Sequence, residues 1–446
     1  MTRVLALDVG TSSARAQMFE EEARERDPAK QDYAGETDAA RLVDAVRAVV
    51  RQYDADDADA VGASCFGHSL LALDERGRPL TPVLGWRDTR SADAAEWLAR
   101  RLDGSAIHAR TGCHLHTSYW PAKLAWLASS EPEVFRSARR FVSFAEHLYG
   151  ELLDDDDVPI SVSLASGTGL MNLHTLDWDD ELLDTLGVDR ARLPRIADDP
   201  VRGWFPALLD GACSNVGSGC RSRERAALMV GTSGALRTVY ETETPMPRAG
   251  LFLYRVDARR VVEGGALSDG GNLYHWLEGT LSAAEWELGE RDPDSHGLTF
   301  VTLLGGERST GWHPHAKGSI HGLTFDTTAV DIRQAALEGV GFRFAEVLEL
   351  MPEVEEIVAT GGALLKDADW CQIMADALAR PIAPSRVKEA SLRGAAVLTL
   401  ERLGVQVPDP EAGTAVEPRR DAADAYRAAH ERQRELYRVA TGADTS

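Results

Sequence analysis

The chain has 446 residues, 44% of them hydrophobic, so it is long enough to form two or three domains with buried cores. Its formal net charge is −23, with 71 acidic residues against 43 arginines and five lysines. The phosphates of a nucleic acid would be repelled by this charge, which argues against a nucleic-acid partner. An acidic, lysine-poor surface suits concentrated salt, which screens its self-repulsion, so we expect a halophilic source; codon bias is the alternative.

The cysteines and the hydropathy of the chain further narrow the class of protein to which it can belong. The five cysteines are odd in number and irregularly spaced, which predicts free thiols rather than a disulfide framework or a zinc site. No apolar run reaches the ~18 residues that a membrane span requires. The chain also begins with a strand-like segment instead of a signal peptide. We therefore expect a soluble cytoplasmic protein with no membrane partner.

The first segment of the chain has the order strand, glycine turn, strand. Residues 4–7 are apolar and of strand length, and Gly10, Thr11 and Ser12 follow as a short turn rich in hydroxyl groups. A glycine in such a turn lets backbone N–H groups approach a phosphate chain, and the hydroxyls can donate to its oxygens. A plain hairpin with a Ser/Thr turn is the alternative.

Two charged residues and a second copy of this turn favour phosphate binding. Arg15 can donate to phosphate oxygens, and Asp8 can hold Mg²⁺ against them through water. Gly231, Thr232 and Ser233 again follow an apolar strand and again precede an arginine. Two such turns suggest two similar domains that face one nucleotide. The pairing resembles the sugar-kinase, actin and heat-shock ATPase superfamily.

A denser set of motifs follows at residues 61–90. Gly-His at the start of a strand is followed by Asp-x-x-Gly-x-Pro-Leu and then by Trp-x-Asp-x-Arg. These motifs resemble the sugar-binding half of the FGGY family of carbohydrate kinases, in its xylulokinase and gluconokinase members. The resemblance implies that His68, Trp86, Asp88 and Arg90 line a polyol site. A polyol needs paired donors and acceptors and an apolar or aromatic wall behind its carbons. Outside this context, a single histidine is more often a core residue.

Residues 111–126 are rich in hydrogen-bonding aromatic side chains and resemble the gluconokinase branch of the family. The resemblance places His116, Tyr119 and Lys123 near the substrate. His114 and His116 have no third ligand at a useful spacing, which argues against a metal there. Lys123 can pair with a substrate carboxylate, although a solvated lysine on a helix face fits as well.

The segment around Asp210 resembles the catalytic loop of the FGGY family. Asp210 follows an apolar pair, Gly211 is directly behind it, and small residues open a helix. The resemblance makes Asp210 the general base that takes the proton of the attacking hydroxyl. An ordinary N-cap aspartate is the alternative. The position just before the second Gly-Thr-Ser turn favours the base.

The second half of the chain resembles the nucleotide side of the family. Residues 264–277 match its glycine-rich strand-to-helix turn, and residues 358–372 match its adenine loop. The resemblance assigns nucleotide binding to Gly271, His275, Gly361, Gly362, Ala363 and Lys366. Family members often carry Ser or Asn at the last of these positions. The adenine-side hydrogen bond is therefore open, and the lysine can instead reach a phosphate.

The resemblance covers nearly the whole chain and implies an α/β protein with two ribonuclease-H-like domains and a nucleotide cleft between them. We expect the N-terminal domain, residues 1–222, to bind the sugar and supply the base. We expect the C-terminal domain, residues 223–446, to bind ATP. Asp8 and Asp210 are expected to organise Mg²⁺.

The predicted activity is ATP-dependent phosphorylation of a small sugar or sugar acid, with gluconate as the leading acceptor. Xylulose or another pentose or polyol is the runner-up, and a catalytically silent sugar sensor or an ATPase of the actin and heat-shock type is a remote alternative. Gluconate carries a carboxylate, so its site needs a cation. Arg87 and Arg90 offer the bidentate geometry, and Lys123 is the second choice. A homodimer is compatible with this interpretation.

Overall fold

The fold is built on two mixed β-sheets, which form one after the other along the chain. The computed structural model describes residues 2–33, 35–281, 288 and 291–442. The strands are, in chain order, β1 (Val4–Val9), β2 (Ser13–Phe19), β3 (Ala29–Asp32), β4 (Ala60–Cys65), β5 (Leu71–Leu73), β6 (Arg140–Val142), β7 (Met171–Asn172), β8 (Asp177–Trp178), β9 (Leu208–Leu209), β10 (Arg225–Val230), β11 (Gly234–Glu241), β12 (Phe252–Arg255), β13 (Arg260–Leu267), β14 (Thr299–Val301), β15 (Ser319–His321), β16 (Glu356–Thr360) and β17 (Ile382–Pro384). The helices are α1 (Ala39–Val50), α2 (Ala92–Ala99), α3 (Gly104–Thr111), α4 (Trp120–Ser130), α5 (Pro132–Ser137), α6 (Phe144–Leu153), α7 (Val162–Ser166), α8 (Asp180–Leu186), α9 (Asp210–Gly217), α10 (Gly271–Thr280), α11 (Ala329–Glu349), α12 (Gly362–Leu365), α13 (Ala368–Leu378), α14 (Ala390–Arg402) and α15 (Ala422–Thr441).

The two sheets repeat one strand pattern. The first has the order β3-β2-β1-β4-β9, and the second has the order β12-β13-β11-β10-β16-β17. In each sheet a central strand pairs antiparallel with the next strand along the chain and parallel with a later one. These are β1 with β2 and β4, and β10 with β11 and β16. The duplication confirms the predicted α/β class with two ribonuclease-H-like domains, here called the first and second domains.

The central strands are continuous apolar runs because both of their faces are covered. All six residues of β1 are buried, as expected for a strand packed between layers. The Gly-Thr-Ser turns join β1 to β2 and β10 to β11. In each turn the glycine N–H donates to a serine carbonyl over 3.0 Å, Gly10 to Ser13 and Gly231 to Ser233. The predicted order of strand, turn and strand is confirmed at both places.

Helix α14 follows the second sheet in the chain but packs against β1 and β4 of the first. It also crosses α9 with the two backbones in contact. A Cβ at Gly394 would overlap the carbonyl oxygen of Cys213, and a Cβ at Gly217 would overlap that of Ala390. Only glycine permits this approach. Because α14 ties the second part of the chain to the first sheet, the division after residue 222 stays a prediction.

Strand β12 and the residue before it form another bridge between the domains. His108 Nε2 lies 2.8 Å from Leu251 O, and the N–H of Leu253 donates to Gly112 O over 3.0 Å. These bonds fix helix α3 of the first domain against the edge of the second sheet. They join segments about 140 positions apart, and no local pattern in the sequence predicts them.

Two findings concern membrane and redox chemistry. Within the described residues, no helix combines the length and the apolar character needed to cross a lipid bilayer. All five cysteines are buried with free thiols, as their irregular spacing predicts. Burial raises the pKa of all five thiols, which keeps them protonated and unreactive.

The acidic composition predicts that the fold requires molar salt. Repulsion among the excess carboxylates of a chain with net charge −23 is strongly screened only when the Debye length falls to about 3 Å, near 1 M salt. Melting curves by circular dichroism in dilute buffer and in molar KCl measure the effect, with a higher melting temperature expected in KCl. An unchanged melting temperature would instead favour codon bias as the origin of the composition.

Candidate functional site

A small cavity, lined from both domains, lies where α9 begins. Its volume is about 80 Å³. The polar and aromatic side chains that line it are His68, Trp86, Asp210, Ser233, Arg237, Phe252, Tyr254 and Arg308. The sequence predicts the first four, whereas Arg237, Phe252, Tyr254 and Arg308 are new.

Asp210 is the first residue of α9 and directly follows β9. The N–H of Gly211 donates to Asp210 Oδ1 over 2.8 Å. Burial raises the pKa of the Asp210 carboxyl above its usual value, and the charge of Arg237 opposes that rise. A carboxylate with a raised pKa that faces a cavity is suited to accept a proton from a ligand.

Asp8 lies at the end of β1 and is buried beside Arg15. Its Oδ2 is 3.1 Å from Arg15 Nη1, and Arg15 Nε is 3.1 Å from Glu389. Burial raises the pKa of Asp8 to about 6; Arg15 lowers it, and Asp210 and Glu389 raise it. Arg15 is thus engaged with two carboxylates, and its role as a phosphate ligand stays a prediction.

A larger cavity of about 750 Å³ opens beside the second Gly-Thr-Ser turn. Seven of the predicted nucleotide residues line it, namely Gly231, Thr232, Gly271, His275, Gly362, Ala363 and Lys366. Tyr274, Arg333 and Asp367 also line it, and the sequence does not predict them. The volume and the glycine-rich backbone suit a nucleotide.

Two glycines give this cavity its shape. Gly361 has a φ of 90°, a conformation that residues with a side chain rarely adopt. The N–H of Gly271 donates to Gly231 O over 2.7 Å, and a Cβ at Gly271 would lie 2.6 Å from the same oxygen. The second Gly-Thr-Ser turn and the start of α10 therefore stay in backbone contact.

The two Gly-Thr-Ser turns face different spaces. Ser233 lines the small cavity while the two residues before it line the large one, so the second turn connects the cavities. In the first turn the carbonyl of Gly10 accepts a hydrogen bond from Tyr33 Oη over 2.7 Å, and the side chain of Ser12 is exposed. The phosphate role of the first turn stays a prediction.

Trp86 separates the small cavity from a third one of about 400 Å³ on the first domain. Thr11, Arg87, Asp88 and Arg90 line this third cavity. The guanidinium of Arg90 donates three hydrogen bonds to Asp88, from Nε to Oδ1 at 3.0 Å and to Oδ2 at 3.2 Å, and from Nη2 to Oδ2 at 2.6 Å. The guanidinium of Arg87 lies 4.9 Å from the centroid of the Trp86 ring. Neither arginine lines the small cavity.

His68 has a left-handed backbone with a φ of 64°, which is uncommon for a residue other than glycine. Its Nδ1 lies 2.5 Å from Gly167 O, and its ring centroid is 5.1 Å from that of Tyr119. Lys123 Nζ donates to His68 O over 2.5 Å and to Ser118 O over 2.7 Å. Burial lowers the pKa of Lys123 to about 7. Lys123 therefore holds the backbone of His68 and does not line the small cavity.

His116 and Tyr119 lie behind the wall of the small cavity. Tyr119 Oη is 2.6 Å from Tyr254 Oη, across the two domains. The ring of His116 packs edge-on against Trp312 of the second domain, with centroids 5.4 Å apart. Substrate contact by either residue stays a prediction.

Arg237 and Arg308 are the site candidates that the sequence analysis misses. Each is only 8% exposed, and each has an Nε without a hydrogen-bond partner. In the part of the chain that the structure describes, no carboxylate lies within ion-pair distance of either guanidinium. A signal for Arg237 exists, because an arginine follows both Gly-Thr-Ser turns. No local pattern distinguishes Arg308.

Comparison with known proteins gives matches to one family along most of the chain. The N-terminal domain of the FGGY family of carbohydrate kinases matches residues 3–199, and the C-terminal domain of that family matches residues 226–400. The gluconokinase of Bacillus subtilis (strain 168) is 28% identical over 455 residues, which cover 90% of this chain and 88% of the relative.

Solved structures agree with the sequence matches. The gluconate kinase from Lactobacillus acidophilus superposes with a TM-score of 0.87 at 25% identity and covers 99% of both chains. The ligand-bound xylulose kinase from the same organism has a TM-score of 0.88 at 26% identity and covers 100% of this chain and 99% of that one. The chain therefore belongs to the FGGY family of carbohydrate kinases and is itself a carbohydrate kinase.

Proposed function

We propose that this kinase transfers the γ-phosphoryl group of ATP to the C6 hydroxyl of gluconate and forms 6-phosphogluconate. Carbohydrate phosphorylation follows from the family, whereas the donor and the acceptor are proposals. The observation that carries the acceptor is the pair of buried guanidinium groups, Arg237 and Arg308, in the cavity at Asp210. This local positive charge stands out in a chain of net charge −23.

Two buried positive charges without carboxylate partners favour an acceptor that carries an anion. The cost of burying an ion is several kcal/mol, and it is offset only when an opposite charge pairs with it. A sugar acid supplies that charge to one of the two guanidinium groups, whereas a neutral sugar supplies it to neither. The similarity to the gluconokinase and gluconate kinase named above supports the same acceptor.

Asp210 lies where the proton of the acceptor hydroxyl must go. It accepts this proton while the hydroxyl oxygen bonds to the γ-phosphorus, and the bond from that phosphorus to the β–γ bridging oxygen breaks to leave ADP. Arg237 beside it adds positive charge where the phosphoryl group arrives. The position of Ser233 between the two cavities supports a phosphate chain that reaches from one to the other.

Asp8 and Asp210 fit a magnesium ion by the chemistry of their donors. Asp8 is buried and Asp210 is half-buried, both offer carboxylate oxygens of the kind that Mg²⁺ prefers, and the charge of Asp210 raises the pKa of Asp8. When bound there, Mg²⁺ would neutralise phosphate charge during transfer. Our proposal is that these two residues hold it, directly or through water.

A coupled assay of ADP release tests the acceptor. The enzyme is given ATP and Mg²⁺ in molar salt, with gluconate, xylulose, ribulose or glycerol at matched concentrations. We expect the highest kcat/KM with gluconate, because only this acceptor carries an anion that can pair with a buried arginine of the cavity. A higher value with a neutral sugar would rule out gluconate as the preferred acceptor but not the carbohydrate kinase activity. Binding of sugar and ATP without any ADP release would favour the sugar sensor.

A further inference from the structure

Arg308 belongs to the second domain and lines the small cavity together with Trp86 of the first domain. It lies in the connection between β14 and β15, and its guanidinium carbon is 5.2 Å from the centroid of the Trp86 ring of the first domain. A guanidinium stacked on an aromatic face keeps its edge N–H donors free, and these match a planar carboxylate.

The loop that carries Arg308 is fixed by hydrogen bonds to the second domain and by ring stacking on the first. Ser309 exchanges two hydrogen bonds of 3.0 Å with Ala266 of the second sheet. The N–H of Trp312 donates to Arg308 O over 2.7 Å, and its ring stacks on His114 of the first domain at 4.6 Å. A side chain on such a loop loses little conformational freedom when it binds a ligand.

The carboxylate next to Arg308 in the chain is engaged elsewhere. Glu307 is 1% exposed and binds the guanidinium of Arg343. It also accepts hydrogen bonds from Tyr437 Oη at 2.9 Å and from the N–H of Gly311 at 3.1 Å. Among the described residues no carboxylate, Glu307 included, comes within ion-pair distance of the Arg308 guanidinium. Its charge is therefore available to a ligand.

An arginine is always charged, whereas the titratable side chains near Arg308 offer a ligand no comparable cation. Burial and then the charge of Arg308 lower the pKa of His68 and of His116 to about 3, so both imidazoles are neutral at pH 7. Burial lowers the pKa of Lys123 to about 7, and its Nζ is bound to two backbone carbonyls.

Arg237 lies against the residue that follows Asp210, the proposed base. A Cβ at Gly211 would be 2.6 Å from Arg237 Nη1, which places this guanidinium at the start of α9. In gluconate the carboxylate is C1 and the phosphorylated hydroxyl is on C6, the two ends of the carbon chain. Because the C6 hydroxyl must meet Asp210, the carboxylate lies away from Arg237.

We propose that Arg308 binds the carboxylate of the acceptor and determines the preference for a sugar acid over a neutral polyol. This assignment rests on the proposed function. Trp86 supports the guanidinium from behind, and the neutral His68 contributes to the cavity wall beside it. The specificity residue thus comes from the second domain, whereas the sequence motifs for the sugar all lie in the first.

A comparison of gluconate with glucitol isolates this contact, because the two acceptors differ only at C1. Arg308→Met removes the charge and keeps much of the side-chain volume. We expect kcat/KM for gluconate to fall by about 10- to 100-fold, the usual loss for a hydrogen bond to a charged group. The value for glucitol is expected to stay near that of the wild type, so the gluconate/glucitol ratio falls.

Arg237→Met is the matched control, a second buried arginine in the same cavity but at the base end. It is expected to lower kcat/KM for both acceptors and to leave their ratio intact. Equal losses for both acceptors in Arg308→Met would overturn the assignment. A fall of the ratio in Arg87→Ala or Arg90→Ala, with Arg308→Met normal, would also overturn it.

Arg308→Lys keeps the proposal testable if Arg308→Met does not fold. Lysine retains the charge but lacks the planar fork of donors, so an intermediate gluconate/glucitol ratio is expected. A wild-type enzyme that prefers xylulose to gluconate would overturn the proposed function. A wild-type enzyme that prefers gluconate, with an unaltered ratio in the folded Arg308 variants, would overturn only the role of Arg308.

Discussion

Asp210→Asn is expected to lower kcat by about 10²–10⁴-fold, the usual contribution of a general base. Asparagine has the same shape as aspartate but cannot take the proton of the acceptor hydroxyl. Since the cavity keeps its form, the affinities for gluconate and for ATP are expected to stay close to those of the wild type. Steady-state kinetics measure kcat, and isothermal titration calorimetry measures the two affinities.

Asp103→Asn is the matched control for the alternative that Asp210 only caps a helix. Asp103 caps α3, where its Oδ1 accepts from the N–H groups of Ser105 and Ala106 at 2.9 and 3.1 Å. Asparagine caps a helix as well as aspartate, so this change is expected to leave kcat unaltered. If Asp210→Asn behaved like Asp103→Asn, Asp210 would not be the base.

The raised pKa of Asp210 gives the proposed base a signature in the pH profile of the activity. Burial makes the carboxyl harder to ionise, so its protonated and inactive form persists to a higher pH than for an ordinary aspartate. Activity should therefore fall on the acid side at a pH above the usual value of 3.8 for this group.

Gly394→Ala is expected to destabilise the protein and to lower its activity. In an open helix, alanine is more stable than glycine by roughly 0.5–1 kcal/mol. At this position, however, the added Cβ would overlap backbone atoms of Cys213 on α9. Helices α9 and α14 must then separate, at a cost of about 1–3 kcal/mol or more. Because α9 begins with Asp210, the movement is also expected to lower kcat. Thermal melting and steady-state kinetics measure the two effects.

Gly279→Ala is the matched control, a glycine inside α10 whose Cβ would meet no atom within 4 Å. Its melting temperature is expected to equal or exceed that of the wild type, since only helix propensity changes. Equal melting temperatures for the two alanine variants would show that the crossing of α9 and α14 can relax without cost.

The local framework of the site could be predicted because each part lies within one short segment. Buried strands read as apolar runs, and glycine with hydroxyl residues marks the turns at Gly10 and Gly231. The same is true of Asp210, which follows an apolar pair and opens a helix of small residues. Hydropathy and turn chemistry act between neighbours in the chain, so these features need no knowledge of the tertiary structure.

The partners of the charged side chains could not be predicted in the same way. Arg90 is bound to Asp88, and Lys123 is bound to two carbonyl oxygens, although all three stand in segments that resemble the sugar site. An arginine or lysine pairs with whichever acceptor the fold brings within a few ångströms. That distance is a property of packed segments, not of sequence spacing.

Sequence by itself thus determined the family, the two repeated sheets and the glycine turns, and it predicted the base, because continuous patterns encode these features. Tertiary structure alone decided which cations line the small cavity. Arg308 reaches the small cavity through a loop of the second domain, and the neighbouring carboxylate, Glu307, is bound to Arg343 instead. The tertiary structure also decided that α14 packs back onto the first sheet, where it meets the backbone of α9 at Gly394. Both results depend on atoms from segments far apart in the chain, whose approach is set by the packing of the two domains.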